Sequence, residues 1–443
     1  MSDSPTSPVV TVHSVLEIEK YAAWVLGMVV AVAVFFQAHV SLPGGVANLN
    51  LADPFAILAL AAVSAHMLFT RQLPVWRISQ FNFALGAMSL LLLLGFMHGW
   101  LEIGITQWAL GGRLLGWLVL LGYLSTGYLI VANVAAHGLR RFAETLIATA
   151  AVVVMLQVTL RLLNHWGANP GVHLAANFEG YAGNRNAFAL QLLAVMALLL
   201  GYSQVYARYG ISLQRPGRSR VFSLLFGILL AGLVWTGSRT AMLVGVMVLL
   251  LAWLGRLADR RTLGWGVMFA ALLWSGVWLA AQKGLWSGIG SGIESGIGSG
   301  IFQFAINPLQ AGISTESSNV ERWETLTHGL ELWWQSPVLG AGLGVFIAKS
   351  PAWFGHPQVI HSTPLWILAE FGLLGAAVFG WVFSLLARHA IRFGRTHPPR
   401  RILLLLLVVF TIFSLAHEIF YQRIFWLVLG AVLARPFTLR MHA

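Results

Sequence analysis

The sequence predicts an all-α fold of the polytopic integral membrane class, with about 12 transmembrane helices and one long loop outside the membrane. Of the 443 residues, 58% are hydrophobic and only 9% are charged, and the mean hydropathy is +0.77. A soluble domain carries about 25% charged residues, and a spanning helix needs roughly 20 mostly apolar residues. The composition therefore excludes an ordinary soluble enzyme.

The chain contains no cysteine, which excludes disulfides, thiolate nucleophiles and Cys-ligated zinc. Its 27 Lys and Arg outnumber the 15 Asp and Glu and give a net charge of +12. In a soluble protein such an excess would suggest nucleic acid, but in a membrane protein it must first be compared with the topology. The polar stretch before the first apolar run includes Glu17, Glu19 and Lys20, so we expect no cleavable signal peptide.

Apolar runs bounded by charged residues, Gly or Pro mark the predicted spans in chain order. They fall at residues 22–41, 52–70, 81–98, 114–134, 144–163, 186–206, 221–236, 239–255, 263–282, 362–387, 402–417 and 419–435. The runs at 221–236 and 239–255 are short, and only Thr236-Gly237-Ser238 separates them. Because together they are too long for one span, we interpret them as a tight hairpin.

The distribution of positive charge sets the predicted orientation. With the N-terminus in the cytoplasm and alternating spans, 19 of the 27 Lys and Arg lie inside. This satisfies the positive-inside rule, predicts that both termini are cytoplasmic, and removes the need for a nucleic-acid partner. The eight outer cations, six of them Arg, are Arg113, Arg161, Arg185, Arg239, Lys283, Arg322, Lys349 and Arg423. Snorkelling to head groups explains any one of them alone, but several lie at helix ends, where they can face an anion.

The chain accordingly divides into residues 1–282 with spans one to nine, the outer loop region 283–361, and residues 362–443 with spans ten to twelve. The outer loop opens with a Ser-Gly-Ile repeat at 287–301, a composition typical of flexible stretches.

Further along the outer loop, helical spacing of apolar residues from Asn319 to Gln335 predicts an amphipathic helix on the membrane surface. Pro337 ends this helix, and the glycines that follow predict a loop that can approach a ligand closely. These are Gly340, Gly342 and Gly344.

Few residues in the chain suit a metal or a nucleotide. The only Asp residues are Asp3, Asp53 and Asp259, and there is no Asp-x-Asp, HExxH or P-loop motif. We therefore expect no cofactor and a metal-independent reaction. Asp53 begins the second span, where we interpret it as an anion at a helix N-terminus rather than as a ligand.

Three predicted spans begin on the outer side with similar motifs. Span six begins at Asn184-Arg185-Asn186, span eight at Ser238-Arg239-Thr240, and span ten at His361-Ser362-Thr363. Asn, Ser and Thr are N-cap residues, and a cation at the positive end of a helix is unfavourable unless an anion binds there. Ordinary capping beside a snorkelling Arg is the alternative for each motif. The three together favour a shared site for a phosphate or pyrophosphate, which Arg binds through two hydrogen bonds.

His361 is the candidate for proton transfer. The ordinary pKa of His is about 6.5, and a helix N-terminus with neighbouring Arg would lower that pKa and favour the neutral base. A hydrogen-bonded structural histidine is the alternative. Glu370 lies about 180° around the same helix, so we do not expect it to pair with His361.

Two further groups of outer residues are weaker candidates. Arg161 ends span five and can reach the same region, whereas Arg322 lies between Glu321 and Glu324, which favours ion pairs within the loop. For the last outer loop, contact with lipid head groups is an adequate explanation. Its polar residues are His417, Glu418, Gln422 and Arg423.

These motifs resemble those of the O-antigen ligase and polymerase superfamily. Residues 361–375 (HSTPLWILAEFGLLG) resemble its signature, in which a His precedes a helix with Glu-x-Gly-Leu-Leu-Gly. Residues 184–186 and 237–241 resemble two earlier blocks, and 322–342 resembles the loop block before the signature helix. The blocks cover less than half of the chain, and Ser362 stands where the family usually has Asn.

The resemblance implies metal-independent glycosyl transfer on the periplasmic face of the bacterial inner membrane. The donor would be a glycan on undecaprenyl pyrophosphate, and the acceptor a sugar hydroxyl of lipid A–core. It implies that Arg185 and Arg239 hold the pyrophosphate and that His361 acts on the acceptor hydroxyl. Arg161 and Arg322 would be further contacts of the donor. The polar neighbours expected in the same site are Asn184, Asn186 and Ser238.

Other activities remain open. The superfamily also contains O-antigen polymerases and protein O-oligosaccharyltransferases, although the added C-terminal region of the latter is not expected here. A non-enzymatic transporter of lipid-linked glycans belongs to another class, and it predicts broken spans with polar residues at mid-membrane depth. The predicted spans are uninterrupted and the cations gather at their outer ends, which favours chemistry at the membrane surface.

Overall fold

The computed structural model describes residues 12–42, 45–134, 138–165, 175, 177–208, 216–282, 316–393 and 397–435. Nine helices precede the long loop: α1 Val12–Ala33, α2 Asp53–Thr70, α3 Phe81–Ile103, α4 Gly116–Val134, α5 Gly138–His165, α6 Arg185–Arg208, α7 Pro216–Trp235, α8 Arg239–Leu254 and α9 Arg260–Gln282. A π-helical segment, Trp108–Leu115, leads directly into α4.

Five helices follow the long loop in the described part of the chain. They are α10 Glu316–Gln335, α11 Val345–Phe354, α12 Thr363–Phe393, α13 Pro398–Ala416 and α14 Arg423–Leu433. The amphipathic helix predicted for 319–335 is therefore present as α10. The Ser-Gly-Ile repeat and Lys283 lie outside the described residues.

Each of the twelve predicted apolar runs contains a helix. In the described ranges, seven segments are long and apolar enough to cross a membrane: Asp53–Thr70, Phe81–Ile103, Trp108–Asn133, Gly138–Leu163, Arg185–Tyr202, Thr363–Arg392 and Pro398–Ala416. Four shorter apolar helices accompany them: Tyr21–Ala33, Arg220–Trp235, Arg239–Leu254 and Arg423–Leu433. The chain is therefore a multi-pass membrane protein, while the number of twelve spans, their orientation and the domain bounds stay predictions.

The first predicted span differs from the structure. The run at 22–41 was expected to be one helix, but α1 ends at Ala33, and β1 (Gln37–Leu42) pairs with β2 (Gly45–Asn50) in an antiparallel hairpin. Polar and apolar residues alternate from Gln37 to Leu42, and this period of two favours a strand. The all-α expectation is therefore wrong at this hairpin.

Helix α6 lies at the centre of the helix bundle. Of its spanning segment Arg185–Tyr202, 78% is buried, compared with 22% for the peripheral Asp53–Thr70. Its neighbours are α5, α7, α8, α13 and α14. The residue at its N-terminus, Arg185, is therefore held on a rigid element.

Helix α12 is broken, contrary to the expectation of uninterrupted spans. Gly372 has φ +61° and ψ −157° within it, and a Cβ there would lie 2.4 Å from the carbonyl oxygen of Val338. The loop after α10 fills the break: the amides of Leu373 and Leu374 donate to the carbonyls of Pro337 and Val338, at 2.9 and 3.0 Å. Backbone groups freed within a membrane must find partners in the protein, and this loop supplies them.

The glycine loop was expected to approach a ligand, but it packs against backbone instead. The amide of Gly342 donates to the carbonyl of Glu370 at 3.0 Å. A Cβ on Gly340 would lie 2.4 Å from the carbonyl carbon of Glu370. A Cβ on Gly342 would lie 2.4 Å from the amide nitrogen of Gly99 in α3. These glycines therefore allow the loop to dock between α3 and α12.

Candidate functional site

The three helix N-termini singled out in the sequence are capped by their own side chains. Asn184 Oδ1 accepts a hydrogen bond from the amide of Asn186 at 2.7 Å, and Ser238 Oγ accepts one from the amide of Ala241 at 3.4 Å. Ser362 Oγ accepts one from the amide of Leu365 at 3.5 Å. Capping oxygens used in this way hold the neighbouring side chains at fixed positions on helix starts.

Arg185 and Arg239 lie in the first turns of α6 and α8, and Arg322 of α10 lies close enough for their charges to act on it. Burial lowers the pKa of Arg322, and the positive charges of Arg239 and Arg185 lower it further, against an opposing effect of Glu321. The three guanidinium groups therefore form one cluster, which we call the arginine cluster. A cluster of like charges that repel one another is a ready site for an anion.

None of these three Arg forms an ion pair within the described ranges of the chain. Among the described residues, no acidic side chain lies within the 4.0 Å of an ion pair from any of the three. Glu321, expected to pair with Arg322, instead accepts hydrogen bonds from the side chains of His356 and Gln358. The cluster therefore keeps its positive charge available to a ligand.

Two other arginines that the predicted topology places on the outer side form ion pairs inside the protein. Arg113 binds Glu418 through two hydrogen bonds of 2.8 and 2.7 Å, and Arg423 binds Asp53 through two of 2.7 and 2.8 Å. Asp53 lies in the first turn of α2, as expected, and also accepts a bond from Tyr123. Head-group contact is therefore not the role of Arg423.

His361 immediately precedes the capped start of α12 and is partly buried. Burial lowers the pKa of His361, the charge of Arg322 lowers it further, and Glu321 and Glu418 oppose this. The imidazole is therefore neutral at pH 7, the form that accepts a proton. Glu370 does not pair with it, since that carboxylate accepts a bond from Trp366 Nε1 at 2.7 Å.

A second histidine lies beside the arginine cluster. His417 follows α13 and is buried, and burial, Arg322, His361 and Arg185 together lower its pKa to about 3. Thr363 Oγ1 donates to its carbonyl at 3.1 Å and accepts from the amide of Ile419 at 2.9 Å. The sequence identified His417 only as a head-group contact, because nothing local shows that α13 packs against α6 and α8.

The remaining predicted residues lie at the margins of this cluster. The Arg161 guanidinium donates to the carbonyls of Ala175 and Asn177 and lies 5.6 Å from the ring centre of Phe178. It therefore anchors the segment that leads toward α6. Asn186 lies in the first turn of α6.

The exposed surface of α10 beside the site carries two tryptophans. One face of α10 is apolar and exposed, with Trp323 67% and Trp334 77% accessible. Its opposite face packs against α12. Within the described residues, no group of three or more His, Asp or Glu is arranged to hold a metal ion.

The chain is similar to a known protein family. The family model described as O-antigen ligase matches residues 224–380, which include Arg239, Arg322 and His361. The match confirms the resemblance of the blocks at 237–241, 322–342 and 361–375, whereas 184–186 lies outside the matched residues. The family is one of glycosyltransferase-like membrane proteins. No curated protein matches the chain.

Proposed function

We propose that this chain, which carries an O-antigen ligase family region, transfers an O-antigen glycan from undecaprenyl pyrophosphate to a sugar hydroxyl of lipid A–core. The reaction would take place on the periplasmic face of the inner membrane. The observation that carries the proposal is the arginine cluster, whose three cations lack acidic partners among the described residues and adjoin the neutral His361.

The arginine cluster suits a pyrophosphate in both charge and geometry. Arg185 and Arg239 lie at helix N-termini, where the helix dipole also favours an anion. In the proposal they hold the pyrophosphate of the donor through paired hydrogen bonds. Asn184 and Ser238 act by capping these helices, and Asn186 borders the same site. Arg161 contributes by anchoring the segment before α6.

The proposed step exchanges one bond for another at the anomeric carbon of the donor. The acceptor oxygen forms a bond to that carbon, and the carbon–oxygen bond to the pyrophosphate breaks. The electron pair leaves with undecaprenyl pyrophosphate, whose developing charge the arginine cluster stabilises. The acceptor proton moves to His361, which is neutral and therefore able to receive it.

In this proposal the positive charge that the leaving group needs comes from guanidinium groups, and the reaction is metal-independent. Arg322 belongs to the same cluster and its charge also acts on His361, so the anion site and the base are neighbours. The exposed Trp323 and Trp334 provide apolar surface where the acyl chains of the acceptor can rest.

A non-enzymatic transporter of lipid-linked glycans is the second candidate, and the break at Gly372 favours it. However, the freed backbone groups bind the chain's own loop, and the buried Glu370 bonds to Trp366. In transporters, the backbone and polar groups freed at a broken helix bind the transported substrate. We therefore prefer the enzyme, with O-antigen polymerase and protein O-oligosaccharyltransferase as the variants that differ only in acceptor.

Reconstitution with a defined donor tests the proposal. The purified protein, in vesicles with lipid-linked glycan, is offered lipid A–core, a second lipid-linked glycan or an acceptor protein, and the products are separated by mass. We expect glycan on lipid A–core, and none with His361→Ala. His66→Ala is the matched control, because His66 is exposed on α2. A fully active His361→Ala variant would contradict the mechanism, and product on another acceptor would reassign the substrate.

A further inference from the structure

A second cluster of cations lies at the other end of α12. His389 is 28 residues after His361, which corresponds to about 40 Å along a helix. A cavity of about 290 Å³ opens there, lined by Arg77, Ile78, Ser79, Leu385, Arg388, His389 and Arg392. None of the lining residues is acidic. On the predicted topology this is the cytoplasmic end of the bundle.

The backbone fixes this cavity by joining two distant parts of the chain. The segment between α2 and α3 runs beside the end of α14: the amide of Arg77 donates to the carbonyl of Leu433 at 2.7 Å, and the amide of Arg435 donates to the carbonyl of Val75 at 3.2 Å. Arg77 and Arg435 are therefore held next to each other. Arginines that only reach from a cytoplasmic loop into solvent do not require these backbone hydrogen bonds.

Two nitrogens at the cavity lack partners. Arg77 Nε and His389 Nε2 are buried and have no hydrogen-bond partner among the described residues. Buried polar atoms are normally paired, so each exception calls for an explanation. Burial lowers the pKa of Arg77, and the nearby Arg400 and Arg435 lower it further. Cations thus face one another around a space that an anion would fill.

We propose that this cavity binds the phosphodiester head group of an anionic phospholipid from the adjacent leaflet. The arginines supply paired donors that match phosphate oxygens. The cavity volume of about 290 Å³ is many times the roughly 10–15 Å³ that one buried water needs on the same measure, so the cavity admits a group larger than a water molecule. Basic pockets between spanning helices are suited to such lipids.

The surroundings favour a lipid over a free phosphate. Ile78 and Leu385 add apolar walls to the cavity. One turn before Leu385, Trp381 makes an edge-to-face contact with Phe83 at 5.7 Å between ring centres, and Phe83 is 74% exposed. This aromatic pair offers a surface on which an acyl chain can lie, next to the head-group site. Inorganic phosphate would leave it unused.

Native mass spectrometry of the full chain in detergent micelles tests the proposal. Phosphatidylglycerol is added alone and together with inorganic phosphate, and phosphatidylcholine, which we expect to be retained less, is added in a separate arm. We expect one retained phosphatidylglycerol, with retention about tenfold weaker in Arg77→Gln/Arg392→Gln, since charged hydrogen bonds are lost. Arg220→Gln/Arg261→Gln is the matched control, because both side chains are exposed and the net charge changes equally.

Two outcomes would overturn the proposal. Equal retention of phosphatidylglycerol by the two double variants would show that the cavity is not the site. Displacement of phosphatidylglycerol by inorganic phosphate at the same concentration would show that the cavity takes a free anion. If the double variant does not fold, Arg392→Gln alone decides, because Arg392 is exposed and its loss leaves the backbone contacts of Arg77 in place. Unchanged retention by Arg392→Gln would then count against the proposal.

Discussion

Arg113 and Glu418 lie 305 positions apart in the chain and form an ion pair with two hydrogen bonds. The pair joins the π-helical segment before α4 to the loop between α13 and α14. The guanidinium also lies 4.6 Å from the ring centre of Trp108 and 4.6 Å from that of Tyr421. It is almost completely buried, so the pair holds the ends of distant helices together beside the candidate site.

Removing one partner of this pair should destabilise the protein strongly. Glu418→Ala leaves a buried guanidinium uncompensated, which costs about 3–5 kcal/mol. We expect a lower thermal unfolding midpoint in detergent micelles, followed by tryptophan fluorescence. Arg113→Met/Glu418→Leu should recover most of the loss, because neither charge is then left unpaired. A Glu418→Ala variant as stable as the native chain would show that the pair does not hold these helices.

The arginine cluster should govern donor affinity. Arg185→Gln and Arg239→Gln each remove charged hydrogen bonds worth about 1.5–3 kcal/mol, so we expect the Kd for a lipid-linked pyrophosphate to rise about tenfold or more. Arg239→Lys should restore only part of the affinity, because Lys does not form the paired bonds. Lys349→Gln is the control, since its exposed cation is outside the cluster. If Lys349→Gln raises the Kd by the same factor, the overall charge of the protein sets donor affinity and the arginine cluster does not.

The rate of transfer should depend on pH through His361. Its neutral form is the base, so the rate should fall as the pH drops through its pKa, which burial and Arg322 place below the ordinary value. Arg322→Gln removes one of these causes and should therefore raise the pKa and move the acid limb of the pH–rate profile to higher pH. Profiles of kcat at saturating donor measure this. If the acid limb of the profile does not move, the charge of Arg322 does not act on the pKa of His361.

Gly372 should be intolerant of a side chain. Gly372→Ala puts a Cβ at 2.4 Å from the Val338 carbonyl on a backbone with φ +61°, so we expect a loss of stability of about 1–3 kcal/mol. Gly380→Ala in the same helix is the matched control, because a Cβ there meets nothing within 4 Å. It should be neutral or slightly stabilising, since Ala favours helix more than Gly. Thermal unfolding of both variants compares them directly.

Local patterns were enough to predict the helices and to identify three residues that the structure places in the candidate site. Each apolar run contains a helix because burial in lipid or in the bundle depends on composition over a short window. Arg185, Arg239 and His361 were recognisable because each stands beside a capping residue at a helix start. Their proximity was expected because the predicted topology places all three at helix ends on the same side of the membrane.

Contacts between remote residues were not predictable in this way. The break at Gly372 depends on the loop at Pro337–Gly342, and the neutralisation of Arg113 and Arg423 depends on Glu418 and Asp53. Nothing in the local sequence distinguishes these two Arg from the three that lack acidic partners. His417 was missed for the same reason, since its setting arises only when α13 packs against α6 and α8.

The break at Gly372 also bears on how the protein is made. The part of α12 after Gly372 has 15 residues before Arg388, at 373–387, and the part before Gly372 has nine, at 363–371, so neither reaches the roughly 20 apolar residues of a spanning helix. We therefore expect the two parts to enter the membrane together as one span. The loop after α10 would then dock into the break once the span is in place. On this expectation, insertion of the span and formation of the candidate site are separate steps, so a variant can be inserted correctly and still lack a formed site.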